Sequence, residues 1–244
     1  MPISTINPLS FPFPLGNKTG FWLPEVAHPY YILKEKYDLV FATPKGGKSP
    51  IDPGSIEQSK DDSVSLGFLT DQEAVRFIEN TYRIDEFVGR ESEFVAVLYP
   101  GGHGRVFLEK KKTDMWLRPN GTLCRLGIDY SVSDSLPPGP VFDLYNDEKS
   151  HSIAAKIYEQ GGVVAALCHG PAAIVNIKLS NGEYLVKGKK VTSFSNKEEE
   201  AIRGIVTNGA EWSNNVVVDG RLVTGQNPKS AASTAEAILR VLAH

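Results

Sequence analysis

Short, unbroken apolar runs that stop at glycine or proline punctuate this chain, with polar or amphipathic stretches between them. Asp38 to Thr43 (DLVFAT) ends at Pro44, and Phe94 to Tyr99 (FVAVLY) ends at Pro100-Gly101-Gly102. Val163 to Leu167 (VVAAL) leads straight into Cys168. Apolar runs without polar alternation predict strands buried on both faces, the pattern of a parallel sheet. Lys190 to Phe194, Asn215 to Val218 and Arg221 to Thr224 read as further strands. The last two are joined by Asp219-Gly220, a hairpin signal.

Helices are predicted over Glu25 to Lys36, with Pro29 in the first turn or kinking it, and from Asp71 to Asn80, capped by Asp71 or Thr70. Others are predicted over His151 to Gln160, stopped by Gly161-Gly162, and over Ala172 to Ile177. A closing amphipathic helix runs from Ser230 to Ala243, capped by Asn227 or Ser230, with Pro228 beside its start. Ser49 to Asp62 is polar and broken by Pro and Gly, so it reads as loop. Residues 1–16 carry Pro2, Pro8, Pro12 and Pro14. Proline at that density suits neither a helix nor a central strand, and an extended lead-in is expected. Strands alternating with helices predict an α/β fold with a mostly parallel sheet covered on both faces.

Composition narrows the function more than the fold. The 244 residues are enough for one α/β domain with a large core, and 41% hydrophobic with 23% charged residues is ordinary for a globular protein. A net charge of −3 supplies no electrostatic reason for a nucleic-acid or anionic-membrane partner. No apolar run is long enough to span a bilayer, and no basic start followed by an apolar block marks a secretory leader. Two cysteines, Cys124 and Cys168, do not make a disulfide framework and point to a reducing, cytoplasmic setting, with the nucleus also open.

The chemistry concentrates at two strand ends. In VVAALCHGPAA (163–173) a buried strand ends, a cysteine follows at once, and Gly-Pro leads into the next element. A nucleophile at such a turn is presented at the carboxyl end of the sheet, near amides that favour a thiolate. The competing reading of Cys168 is an inert core cysteine. The other strand end, Pro100-Gly101-Gly102-His103-Gly104, leaves backbone N–H groups uncovered for an oxyanion, or is a plain tight turn. Ligands in open α/β sheets collect at such ends, so the two suggest one site. His169 is either a base paired with a carboxylate or a helix cap. No His, Cys, Asp and Glu cluster has metal-ligand spacing, so no metal is expected.

These residues resemble the ThiJ/PfpI superfamily, and within it the chaperone-like, glutathione-independent glyoxalase III branch. The matching blocks are TGFWLPEVAHPYYILK (19–34), DLVFATPKGGKSPIDPGSI (38–56), VLYPGGHG (97–104), VVAALCHGPAA (163–173), KKVTSFSNKEEE (189–200) and VVVDGRLVTGQNPKSA (216–231). The resemblance implies a flavodoxin-like, class I glutamine amidotransferase-like α/β sandwich. It implies Cys168 as nucleophile, His169 as its paired histidine and Glu25 as the buried glutamate that hydrogen-bonds the thiol. Glu199 would be the acidic partner of the histidine, with Glu198 or Glu200 as alternatives. Gly101, Gly102 and His103 would line the pocket, the glycine amides serving as oxyanion donors. The implied reaction turns a small 2-oxoaldehyde, methylglyoxal, into D-lactate as part of stress detoxification, with no cofactor. A homodimer is common in such proteins. A holdase chaperone, a redox sensor built on Cys168 and a hydrolase are the other roles weighed.

Three departures from the family pattern stand out. The family's first, central strand is missing from the proline-broken start. Residues 105–139 interrupt the domain as an extraneous or disordered insertion, since joining Gly104 to Pro140 restores the pattern (GGHGPVFDL). The link from Ala201 to Asn215 is short, so a helical segment is missing there. The chain is otherwise one domain over 1–244, and these departures raise the prospect of impaired catalysis.

Overall fold

The computed structural model describes residues 3–6, 20–102, 144–194, 205–206 and 212–244. Its centre is a seven-stranded sheet. The strands of the chain are β1 (Ile3–Ile6), β2 (Leu39–Thr43), β3 (Tyr82–Arg83), β4 (Ala96–Tyr99), β5 (Val163–Leu167), β6 (Lys190–Val191), β7 (Ile205–Val206), β8 (Val216–Asp219) and β9 (Leu222–Gly225). The helices are α1 (Leu23–Leu33), α2 (Pro53–Gln58), α3 (Ser63–Thr70), α4 (Gln72–Glu79), α5 (Glu148–Glu159) and α6 (Ala231–Leu242). The sheet order is β3-β2-β1-β4-β5-β9-β8, and β6 and β7 form a separate parallel pair. All neighbours in the main sheet are parallel except β8 and β9, the hairpin expected at Asp219-Gly220.

The first strand corrects the expectation that it is missing. Ile3–Ile6 lies in the middle of the sheet, pairing with β2 through Ile3↔Leu39 and with β4 through Ile3↔Ala96. The prolines at 2, 8, 12 and 14 all fall outside this four-residue run. They bound the strand without entering it, which leaves its ladder N–H groups intact. A second correction concerns 49–62, expected as loop. Asp52 accepts a hydrogen bond from the Gly54 amide and Pro53 stands in the first turn, so Pro53–Gln58 forms a short helix. Helix α3 and strand β3 were not anticipated.

The apolar runs are buried on both sides, as their lack of alternation predicts. Ala96 and Leu98 of β4, with Val163 and Ala165 of β5, face a core built with α1, α3, α4 and α6 through Val26, Tyr30, Phe68, Ile78 and Ile238. Val97 and Tyr99, with Val164 and Ala166, face the opposite core with Ile153, Ala154 and Ile157 of α5. Among the described residues, no helix is long and apolar enough to cross a membrane. Residues 105–139 and most of 201–215 lie outside the described residues, so the insertion and short-link expectations fall there.

This winding positions the site. The chain steps from β1 to β2 on one side of β1, and from β4 to β5 and β9 on the other. The β1/β4 boundary is therefore a topological switch point, where strand ends diverge and leave a crevice. The residues that follow β4 and β5 open at its edge.

Candidate active site

Cys168 directly follows β5 and has φ +58°, the left-handed region that a side chain bearing Cβ rarely adopts. Two hydrogen bonds hold it there. Its N–H donates to the Gly225 carbonyl at 2.9 Å, and its own carbonyl accepts from the Phe194 N–H at 3.0 Å. A left-handed backbone fixed from both sides is the kind of strain that clusters at active sites. The helix expected over Ala172 to Ile177 is instead a single 3-10 turn, Gly170–Ala173. Gly170 presses so closely on β4 that a Cβ there would sit 2.1 Å from the Tyr99 carbonyl oxygen. That contact ties the turn to the sheet in place of a longer helix.

His169 faces its neighbour, with Nδ1 3.2 Å from Cys168 Sγ. At that distance either the thiol donates to the ring or the protonated ring donates to a thiolate.

Glu25 reaches the site from the first turn of α1, which Pro24 starts. It is fully buried. Its Oε2 accepts the Gly101 N–H at 2.7 Å. Burial pushes its pKa up to about 8, against opposing pulls from the Cys168 side chain and the Gly101 amide. Burial thus favours the neutral carboxyl at pH 7. Oε1 is buried without a hydrogen-bond partner among the described residues. The Cys168 side chain therefore meets the carboxyl as a close neighbour, short of a well-formed bond to Oε1. In a neutral carboxyl the oxygen that accepts an amide is the carbonyl one, which leaves Oε1 as the hydroxyl. Among the described residues, that hydroxyl has no hydrogen-bond acceptor.

Gly101 is where these groups meet. A Cβ built on it would lie 2.8 Å from Cys168 Cβ, from Glu25 Oε2 and from the His169 amide nitrogen. Gly102 is equally tight, 2.2 Å from the Gly20 carbonyl oxygen. Both glycines are needed for close approach of backbones, and the Gly101 amide is already committed to Glu25. Gly101→Ala is expected to cost about 1–3 kcal/mol of stability by overpacking and to lower kcat/KM by about tenfold or more, as Glu25 and Cys168 are pushed apart. Thermal melting and steady-state kinetics of the variant check both effects, and an alanine variant with unchanged turnover would contradict the convergence.

The structure thus brings Cys168, His169, Glu25, Gly101 and Gly102 together. His103 and Glu199, with Glu198 and Glu200, lie outside the described residues. Phe194, which sequence reasoning placed only as the end of a strand, stacks on the His169 ring with centroids 5.0 Å apart and 28° between planes. Trp212 meets Phe194 edge-on at 5.4 Å. The sequence signal for both was an aromatic residue within a block matching the family or just before one, and nothing in it indicated a ring stack.

Comparison with known proteins adds independent findings. The DJ-1/PfpI family model matches residues 138–241. The chain is 30% identical over 249 residues to Glyoxalase 3 of Candida albicans, covering 92% of this chain and 90% of that protein. It is 29% identical to a glutathione-independent glyoxalase of Saccharomyces cerevisiae, covering 90% of this chain and 88% of the relative. The crystal structure of glyoxalase III from Candida albicans shares the fold with a TM-score of 0.75 at 23% identity, covering 99% of this chain and 97% of that one.

Proposed function

The chain belongs to the DJ-1/PfpI family, and on that footing we propose that it is a glyoxalase III-type enzyme converting methylglyoxal, a 2-oxoaldehyde, to D-lactate without glutathione. The observation that carries this reading is Cys168 Sγ set 3.2 Å from His169 Nδ1, beside a buried Glu25 whose pKa is pushed up to about 8 and whose Oε1 has no partner among the described residues. The names of the relatives support the same substrate class.

The thiolate of Cys168 adds to the aldehyde carbon, C1, while the His169 imidazolium gives its proton to the aldehyde oxygen, forming a hemithioacetal. The now neutral His169 lifts the proton from C1 while Glu25 Oε1 gives its proton to the C2 oxygen, which leaves an enediol. His169 returns its proton at C2, and the C1 hydroxyl proton passes to the Glu25 carboxylate. The product is a lactyl thioester, C1 having been oxidised and C2 reduced. Water cleaves the thioester, releasing lactate and restoring the thiol. The net change is addition of one water to methylglyoxal, and the electrons move between adjacent carbons of the substrate itself. Glu199 is proposed as the carboxylate that orients His169.

The test is incubation of purified protein with methylglyoxal in the absence of glutathione, with D-lactate measured enzymatically. Formation of D-lactate at a rate proportional to protein is the expected result. Methylglyoxal consumption with no lactate would replace this reading with simple thiol adduct formation.

A further inference from the structure

Phe194 takes no part in the proposed proton transfers, yet it is bound to both members of the Cys168–His169 pair. Its ring lies over the His169 ring, 5.0 Å away and 28° from parallel. Its backbone N–H donates to the carbonyl of Cys168 at 3.0 Å. It packs against the small buried cluster of Leu167, Cys168 and Ala231. Behind it, the Thr192 amide donates to Thr224 Oγ1 of β9 at 2.9 Å, which anchors the segment to the sheet. In front, Trp212 sits edge-on at 5.4 Å with φ +57°, held in the left-handed region although it is half exposed. The ring that stacks on His169 is therefore fixed from two sides.

A stacked aromatic ring acts on an imidazole in two ways. It limits rotation of the ring, which keeps Nδ1 turned toward Sγ. It also presents a negative π face, which favours the imidazolium over the neutral ring. A charged ring beside the sulfur in turn favours the thiolate. Among the described residues, the other titratable side chain at this point is Glu25 from α1, which meets the pair through Gly101; Glu199, proposed above as the partner of His169, lies outside them. Strands β5 and β9 bring no ionisable side chain.

We propose that Phe194 is a positioning residue: stacked on His169, it holds the imidazole against Cys168 Sγ and sustains the charged form of the pair. The proposal rests on the reading of Cys168 as a nucleophile, but its test needs no turnover. The full-length protein is alkylated with iodoacetamide across the acid to alkaline range, and modification of the Cys168 peptide is timed by mass spectrometry. Phe194→Leu keeps apolar volume and removes the π face. Its alkylation midpoint is expected to rise by about half to one and a half pH units relative to the native protein. Phe194→Tyr is expected to keep the native midpoint. Pentafluorophenylalanine at position 194 keeps the ring shape and reverses its quadrupole, so it should raise the midpoint as well. That replacement serves if the leucine variant does not fold. A midpoint unmoved in either folded variant overturns the proposal. Loss of the glyoxalase reading would appear separately, as absence of lactate in the native protein with the midpoint shift still present.

Discussion

Cys168→Ala is expected to abolish lactate formation from methylglyoxal, with kcat/KM falling by at least about 10³-fold. The proposed route passes through a bond between sulfur and C1, which alanine cannot form. The same position offers a second, less usual expectation. At φ +58° a Cβ costs about 1–2 kcal/mol that glycine does not pay. In most of a fold, glycine is less stable than alanine. Here the order should invert, with Cys168→Gly melting about 2–4 °C above Cys168→Ala for each kcal/mol recovered, while both stay inactive. Circular-dichroism melts and the D-lactate assay on the two variants together decide the matter. Residual turnover near the native rate in Cys168→Ala would remove the covalent route. A glycine variant melting below the alanine variant would show that the backbone at 168 is not strained.

That inversion also explains why the cysteine was legible while its surroundings were only partly so. VVAALCHG states its own geometry locally: a run buried on both faces must end at a sheet edge, and the next residue is presented there. The hairpin at Asp219-Gly220 follows from an equally local signal, and it is present. The central strand was missed because proline density was averaged over sixteen residues when the informative feature was the proline-free run Ile3–Ile6. Helix α2 was missed in the same way, its Asp52 cap and Pro53 start being read as loop composition. The length of the element after Cys168 was misjudged because it is set by a contact with no sequence signature, the approach of Gly170 to the Tyr99 carbonyl. Glu25 was located by resemblance alone. Its neutrality comes from burial, which outweighs the lowering pull of an amide donor supplied by a distant glycine, and neither can be read from the motif around it. The stack of Phe194 on His169 likewise depends on how two separate strand ends fold over one another.

Glu25→Gln is expected to lower kcat by about 10²-fold or more, the usual share of a positioned acid or base, while preserving the hydrogen bond from the Gly101 amide. The amide keeps the shape and the acceptor but has no proton to exchange with substrate oxygen. Its effect on stability carries an opposite and distinctive sign. The folded pKa of Glu25 is about 8, raised by burial from an ordinary value of 4.5. Between those values the unfolded chain has released a proton that the folded protein still holds, so rising pH favours unfolding. The stabilising contribution is complete below pH 4.5 and is lost as pH rises through about 8. Relative to Glu25→Gln, the native protein should lose about 1.4 kcal/mol for each pH unit across that window and then level off. Turnover of the native enzyme should likewise fall above pH 8, where Oε1 gives up its proton, and that alkaline limb should be absent from the residual activity of the variant. Denaturant unfolding of both proteins at a series of pH values measures the first effect, and pH profiles of kcat measure the second. Parallel stability curves would mean that Glu25 is ionised in the folded protein, and the proton the mechanism draws on would then have to come from another group.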